Sequence, residues 1–133
     1  MHSPDSVYIK MKHNIEDIAR EDGRFRPEGI TFVYEGLSYT VKKMTEETGE
    51  KAGPHHVSGR DLAYGLRDLA LERWGRMAKT VLNRWGIRTT RDFGEIVYLM
   101  ISHEWMSAQA SDSIDDFNDI YEFKAVFEDG FEF

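Results

Sequence analysis

A chain of 133 residues is the length of one ordinary domain, long enough to bury about two thirds of its unfolded surface without covalent staples. It has no cysteine, which excludes disulfides, cysteine nucleophiles, iron–sulfur clusters and the usual zinc fingers. The net charge is −7 and unevenly placed: residues 104–133 carry nine acids against one base, whereas residues 1–103 carry 15 acids and 16 bases.

A neutral body with an acidic C-terminal part lacks the basic footprint of nucleic-acid binding, so nucleic acid is not an expected partner. No run approaches the ~20 apolar residues of a membrane span. Met1 to Lys12 carries Asp5 and no apolar core of a signal peptide. The expectation is a cytoplasmic protein without a membrane partner. Aromatic residues at 13% and apolar residues at 41% predict a packed fold rather than disorder.

In chain order, Ser3 and Pro4 have the form of an N-cap and a first-turn proline. Tyr8, Met11, Ile15, Ile18 and Ala19 then recur at helical spacing up to Gly23, a natural stop. Pro27 and Glu28 open the next segment. Ile30, Val33, Leu37, Val41 and Met44 give a helical stripe, while Ile30, Phe32 and Tyr34 alternate as in a strand. The helical pattern runs longer, and residues 27–44 are read as helix. Thr45 to Val57 is polar and reads as a long loop.

Ser58 and Asp61 have capping-box spacing before the face Leu62, Ala63, Leu66, Leu69 and Ala70, with Trp74 near its end. Gly75 bends or breaks this helix, Met77, Val81, Leu82 and Trp85 continue the stripe, and Gly86 stops it. Thr89 or Thr90 caps a further helix whose face is Phe93, Ile96, Val97, Met100 and Ile101. In the acidic tail, Asp112 or Ser113 caps a turn with Phe117 and Ile120. Tyr121, Phe123, Ala125 and Phe127 alternate, and Asp129-Gly130 is a turn pair. Three forms stay open for this tail: short helical turns, a strand, or a peptide laid over the body.

The predicted fold is therefore mostly α: a compact orthogonal bundle of about five helices with an acidic aromatic C-terminal segment packed on it. Residues 1–133 form one domain, with a body of 1–105 and a C-terminal segment of 106–133. The stretch Gly59-Arg-Asp-Leu-Ala-Tyr-Gly-Leu-Arg67 and the stretch Trp85-Gly-Ile-Arg-Thr-Thr-Arg-Asp-Phe-Gly-Glu-Ile-Val97 carry a likeness, with His56-Val-Ser-Gly59 before them and Asp116-Phe117 and Tyr121-Glu-Phe123 after. In order and spacing these resemble a family of small bacterial proteins of uncharacterised activity, from about Ile18 to Phe127. The resemblance implies helix over residues 27–44 and transfers no catalytic residue.

Asp92-Phe93-Gly94 matches the kinase magnesium tripeptide, but the glycine-rich loop, strand lysine and catalytic-loop residues are missing. Asp92 reads instead as a first-turn acid and Phe93 as core. Leu82 to Val97 has helix-turn-helix length, yet the sixth residue after Gly86 is Asp92 where an apolar residue belongs. His55 and His56 sit together in the polar loop, but no further ligand stands at metal-binding spacing. Asp92 with Glu95, or Glu46 with Glu47, reads as solvated surface. Trp74, Trp85 and Trp105 read as core or as interface anchors.

No cofactor, metal or catalytic residue is expected. The expected function is a non-enzymatic protein-binding or adaptor module, whose partner is another protein or a second copy. Asp129, Phe131, Glu132 and Phe133, together with Trp105, are the candidate contact residues. Arg84, Arg88 and Arg91 cluster around Gly86 and are candidates to receive the tail's acids. An enzyme with a dispersed polar site around His56 or His103 is the second class, and a nucleic-acid-associated regulator the third.

Overall fold

The computed structural model describes residues 14–48 and 57–129. The Ser3-Pro4 start, His55 and His56, and Phe131 to Phe133 lie outside them. Of the described residues 75% are helical and none is in a strand, an all-α bundle as the periodicity predicts.

Helix α1 is seen over residues 14–22 and buries Ile15, Ile18 and Ala19. Gly23, at φ +77°, ends it by donating its N–H to the Ala19 carbonyl at 2.9 Å. Helix α2, Pro27–Thr48, has proline in its first position, where the missing N–H costs nothing. It runs through Thr45-Glu46-Glu47-Thr48, part of the expected loop. Polarity misled here: glutamate is a good helix former, and Thr45 donates its hydroxyl back to the Val41 carbonyl at 2.9 Å.

Helix α3, Gly59–Trp74, starts on the Ser58–Asp61 capping box and buries Leu62, Ala63, Leu66, Leu69 and Ala70. It crosses α2 at close range. A Cβ on Gly65 would stand 2.8 Å from the Thr40 Cβ, and one on Gly36 would enter the Leu66 side chain. Thr40 is buried at this crossing and satisfies its hydroxyl on the Gly36 carbonyl at 2.7 Å.

After α3 a 3₁₀ turn, Gly75–Met77, leads into α4, Ala78–Arg84. The tighter turn shifts the helical phase. Ala78 and Leu82 therefore face the core, and Met77, expected on the apolar stripe, is 58% exposed. Helix α5, Thr90–Ser102, opens on a Thr89–Asp92 capping box and buries Phe93, Ile96, Val97 and Met100. Asp92 accepts the Arg88 and Thr89 backbone N–H groups at 2.8 and 3.1 Å, the first-turn role its position implies.

The C-terminal segment docks on the body. Ser113, not Asp112, caps a 3₁₀ turn, Ile114–Phe117, and a π turn closes the described chain at Ala125–Asp129. Phe117, Phe123 and Phe127 are buried. Phe123 and Phe127 stand four apart on helical turns rather than along one strand face, and pack edge to face at 5.2 Å. The buried Thr90 hydroxyl donates to the Phe117 carbonyl at 2.7 Å and accepts the Ile120 N–H at 3.2 Å. Of the three arginines near Gly86, Arg91 takes tail acid, meeting Asp115 at 2.7 Å; Lys79 meets Glu128 at 3.1 Å.

Tyr121 donates its hydroxyl to the Ala63 carbonyl of α3 at 2.6 Å, and burial pushes its pKa far above the ordinary tyrosine value. A phenol whose folded pKa is raised contributes stability that is present below the unfolded value of about 10 and is lost as pH climbs past it. Urea midpoints measured against pH should therefore fall steeply above about pH 10 in the wild type. They should fall less in Tyr121→Phe; parallel curves would show that this hydroxyl is not sequestered.

Candidate functional site

One open groove of about 950 Å³ lies between α2, the start of α3, the last turns of α5 and the segment that follows α5. Its floor is apolar: Leu37 and Val41 from α2, Leu62 from α3, Val97 and Ile101 from α5, and Phe117 from the tail. Tyr34, Tyr98, Trp105 and Met106 line it as well.

Local chain geometry puts Trp105 there. At the end of α5 the Trp105 N–H returns to the Met100 carbonyl at 2.9 Å, and Glu104 takes the left-handed conformation at φ +64°. This is a Schellman-type stop with glutamate in the place that glycine usually fills. It turns the chain back so that the Trp105 ring meets Tyr34 edge to face at 5.9 Å. The opposite wall is fixed by a close approach. A Cβ on Gly59 would lie 3.1 Å from both the Asp116 Cβ and the Phe117 ring, and one on Gly94 would lie 2.8 Å from Phe117. Small residues on α3 and α5 thus let the Ile114–Phe117 turn sit down between them.

The charge is one-sided. Glu104, Asp112 and Asp116 line the groove, and no lysine or arginine does so among the described residues. Asp116 is committed to its capping box, accepting the Ser113 N–H at 3.0 Å, and Asp112 accepts the Gln109 N–H at 2.7 Å. Burial raises the Tyr98 hydroxyl above its ordinary pKa, and the charges of Asp112 and Asp116 push the same way. Tyr98 therefore stays a neutral donor across the physiological range.

No known protein family, curated protein or solved structure matches the chain. The likeness to a bacterial family seen in the sequence thus has no counterpart there, and the site rests on its own geometry.

Of the contact residues read from the sequence, Trp105 is in the groove. Asp129 is not: it is exposed at the end of the π turn, 4.0 Å from Lys124. Phe131, Glu132 and Phe133 lie outside the described residues. His103 is exposed at the C-cap of α5 and does not line the groove. Among the described residues no group of three or more histidine, aspartate or glutamate side chains is arranged to hold a metal ion. No described helix is long and apolar enough to cross a membrane.

Tyr34, Tyr98, Glu104, Asp112 and Asp116 were not singled out as site residues from sequence. Glu104 carried the one local signal, an acid directly before a tryptophan at the end of a strongly periodic helix.

A second polar cluster joins α2 to α3 outside the groove. Lys43 donates to Asp68 at 2.6 Å and Tyr39 to Glu72 at 3.0 Å. Burial opposes ionisation of Asp68, but the bonds from Lys43 and Arg67 outweigh it and hold the carboxyl below its ordinary pKa. Every member of this cluster is paired, so it reads as a tether between helices rather than a reactive site.

Proposed function

We propose that this protein is a non-enzymatic binding module whose groove receives a basic, amphipathic helical segment of a partner protein. The observation that carries the reading is the match of an apolar floor to three carboxylates with no base among the described lining residues. Such a surface favours a ligand with an apolar stripe flanked by lysine or arginine, the helix-in-groove mode of recognition. The ring of Trp105 supplies the kind of rigid aromatic contact that dominates interface energetics. The acidic rim would speed encounter with a basic segment and make it sensitive to salt.

The test is a titration of isotope-labelled protein with two synthetic helical peptides that share one apolar face, one lysine-rich and one glutamate-rich. The Trp105 indole N–H signal is expected to shift with the lysine-rich peptide, while the Trp74 and Trp85 signals stay in place. Glu104→Lys combined with Gln109→Lys should weaken binding by about tenfold or more, at 1.4 kcal/mol per decade. Neither substitution removes a described cap. Equal binding of both peptides, or shifts confined to the surface around Asp129, would refute the groove as the site.

A further inference from the structure

The groove's acidic, apolar character has a complement on the same molecule. Residues 73–91 hold six bases and no acid; Arg73, Lys79 and Arg91 meet Glu35, Glu128 and Asp115 from elsewhere in the chain, and Arg84 is exposed. Within this stretch Met77, Thr80 and Arg84 are all exposed, at spacings of three and four that put them on one face of the 3₁₀ turn and α4. Met77 is the large apolar side chain that the described residues leave exposed. A short helix with an outward methionine and an exposed arginine two turns on is the chemistry the groove suits.

The Met77 face and the groove stand toward opposite ends of α3. Ser58, Gly59 and Leu62, at the start of α3, line the groove, while the basic stretch begins at Arg73, at its far end. Sixteen residues of helix hold those ends about 24 Å apart.

We infer that the molecule self-associates head to tail, the α4 face of one copy seating in the groove of the next. The inference rests on the groove being a receptor for basic helices and names a second copy as one such ligand. Met77 enters the apolar floor, and Arg84 meets the rim around Glu104. Joining unlike surfaces makes a heterologous contact, which forms open chains or closed rings rather than a two-fold dimer. It also makes self-association a competitor for any external partner. The net charge of −7 opposes association at long range, but at about 0.1 M salt the screening length is about 10 Å, so contact pairs outlast the overall repulsion.

Sedimentation velocity of the full chain at rising concentration tests this. The weight-average mass is expected to climb above the 15.5 kDa of one chain. Met77→Asp with Arg84→Glu should abolish the rise, and so should Glu104→Lys with Gln109→Lys, both variants keeping the helical circular dichroism of the parent. Mixed in equal amounts they should form a complex of two chains that grows no further, because each retains one working surface. A wild type that stays at one chain's mass up to about 1 mM, equivalent to only about 4 kcal/mol of binding, overturns the inference. Association unaffected by either variant, or a mixture that stays apart, does the same. The lysine-rich peptide separates the two readings: if it binds a non-associating protein, only self-association is wrong, and if it fails as well, the groove is not a receptor.

Discussion

Phe127→Ala is expected to destabilise the protein by about 3–5 kcal/mol, the range for emptying a buried phenylalanine site. The ring is fully buried, 5.2 Å from Phe123 and 6.3 Å from Tyr121, and Phe123 in turn lies 5.5 Å from Phe93 on α5. Few domains hold more than about 15 kcal/mol in total, so this one side chain near the end of the chain carries a large share. Asp129→Ala, two residues on and exposed, should stay within about 0.5 kcal/mol. Urea unfolding of both variants measures the contrast. A loss below 1 kcal/mol for Phe127→Ala would mean that the C-terminal segment is an appendage rather than core. The result bears on the site because the same segment supplies Phe117 to the groove floor and hangs Asp112 and Asp116 beside it. A tail that came loose would dismantle one wall of the groove.

What could be read from the sequence followed from how local the cause was. Ser58 with Asp61 and Thr89 with Asp92 each satisfy backbone groups within one turn, so four residues suffice to announce a helix start, and both boxes form. The stripe Phe93, Ile96, Val97, Met100 is likewise a property of one helix and its period. Met77 was misjudged because a three-residue 3₁₀ turn changes the phase between α3 and α4, and nothing in Gly75-Arg76-Met77 distinguishes a bend from a phase slip. The end of α2 was misjudged because Glu46 and Glu47 are as much at home on an exposed helix as in a loop. Docking of Phe117 to Phe127 followed from the cost of leaving so many aromatic rings in water, although its form did not.

The groove was the least legible feature. Its lining draws on Tyr34, Val57, Tyr98 and Phe117, which meet only after the helices pack. Trp105 is identifiable as a candidate anchor from its chemistry, whereas the sequence offers Asp112 only as a cap and Asp116 only as part of the Asp116-Phe117 pair. Their position beside an apolar floor gives them meaning, and that position is tertiary.

The Gly86 corner, where the turn from α4 to α5 meets the connection between α1 and α2, allows strain and crowding to be measured separately. Gly86 sits at φ +92°, and its N–H and that of Ile87 return to the Asn83 and Leu82 carbonyls at 3.0 and 2.9 Å to close α4. A Cβ there would run into the Arg24 carbonyl oxygen, a backbone atom that cannot swing aside as a side chain would. Arg24 is itself pinned by Asp22 at 2.8 Å and by Glu95 of α5 at 3.2 Å, and the Arg26 N–H donates to the Trp85 carbonyl at 3.1 Å. Gly75 is the control, since its φ is +51° and nothing lies within 4 Å of an added Cβ. Gly75, at φ +51° and ψ −127°, lies outside the left-handed helical well, so Gly75→Ala should cost backbone strain alone, about 1–3 kcal/mol. Gly86→Ala should add an overpacking cost of about 1–3 kcal/mol to a backbone strain of about the same size, for a total of about 2–6 kcal/mol. Thermal and urea unfolding of the two variants side by side gives the difference directly. Equal losses would mean that the chain between α1 and α2 yields readily to the added methyl. The bonds from Arg24 and Arg26 would then do little to hold that corner in place.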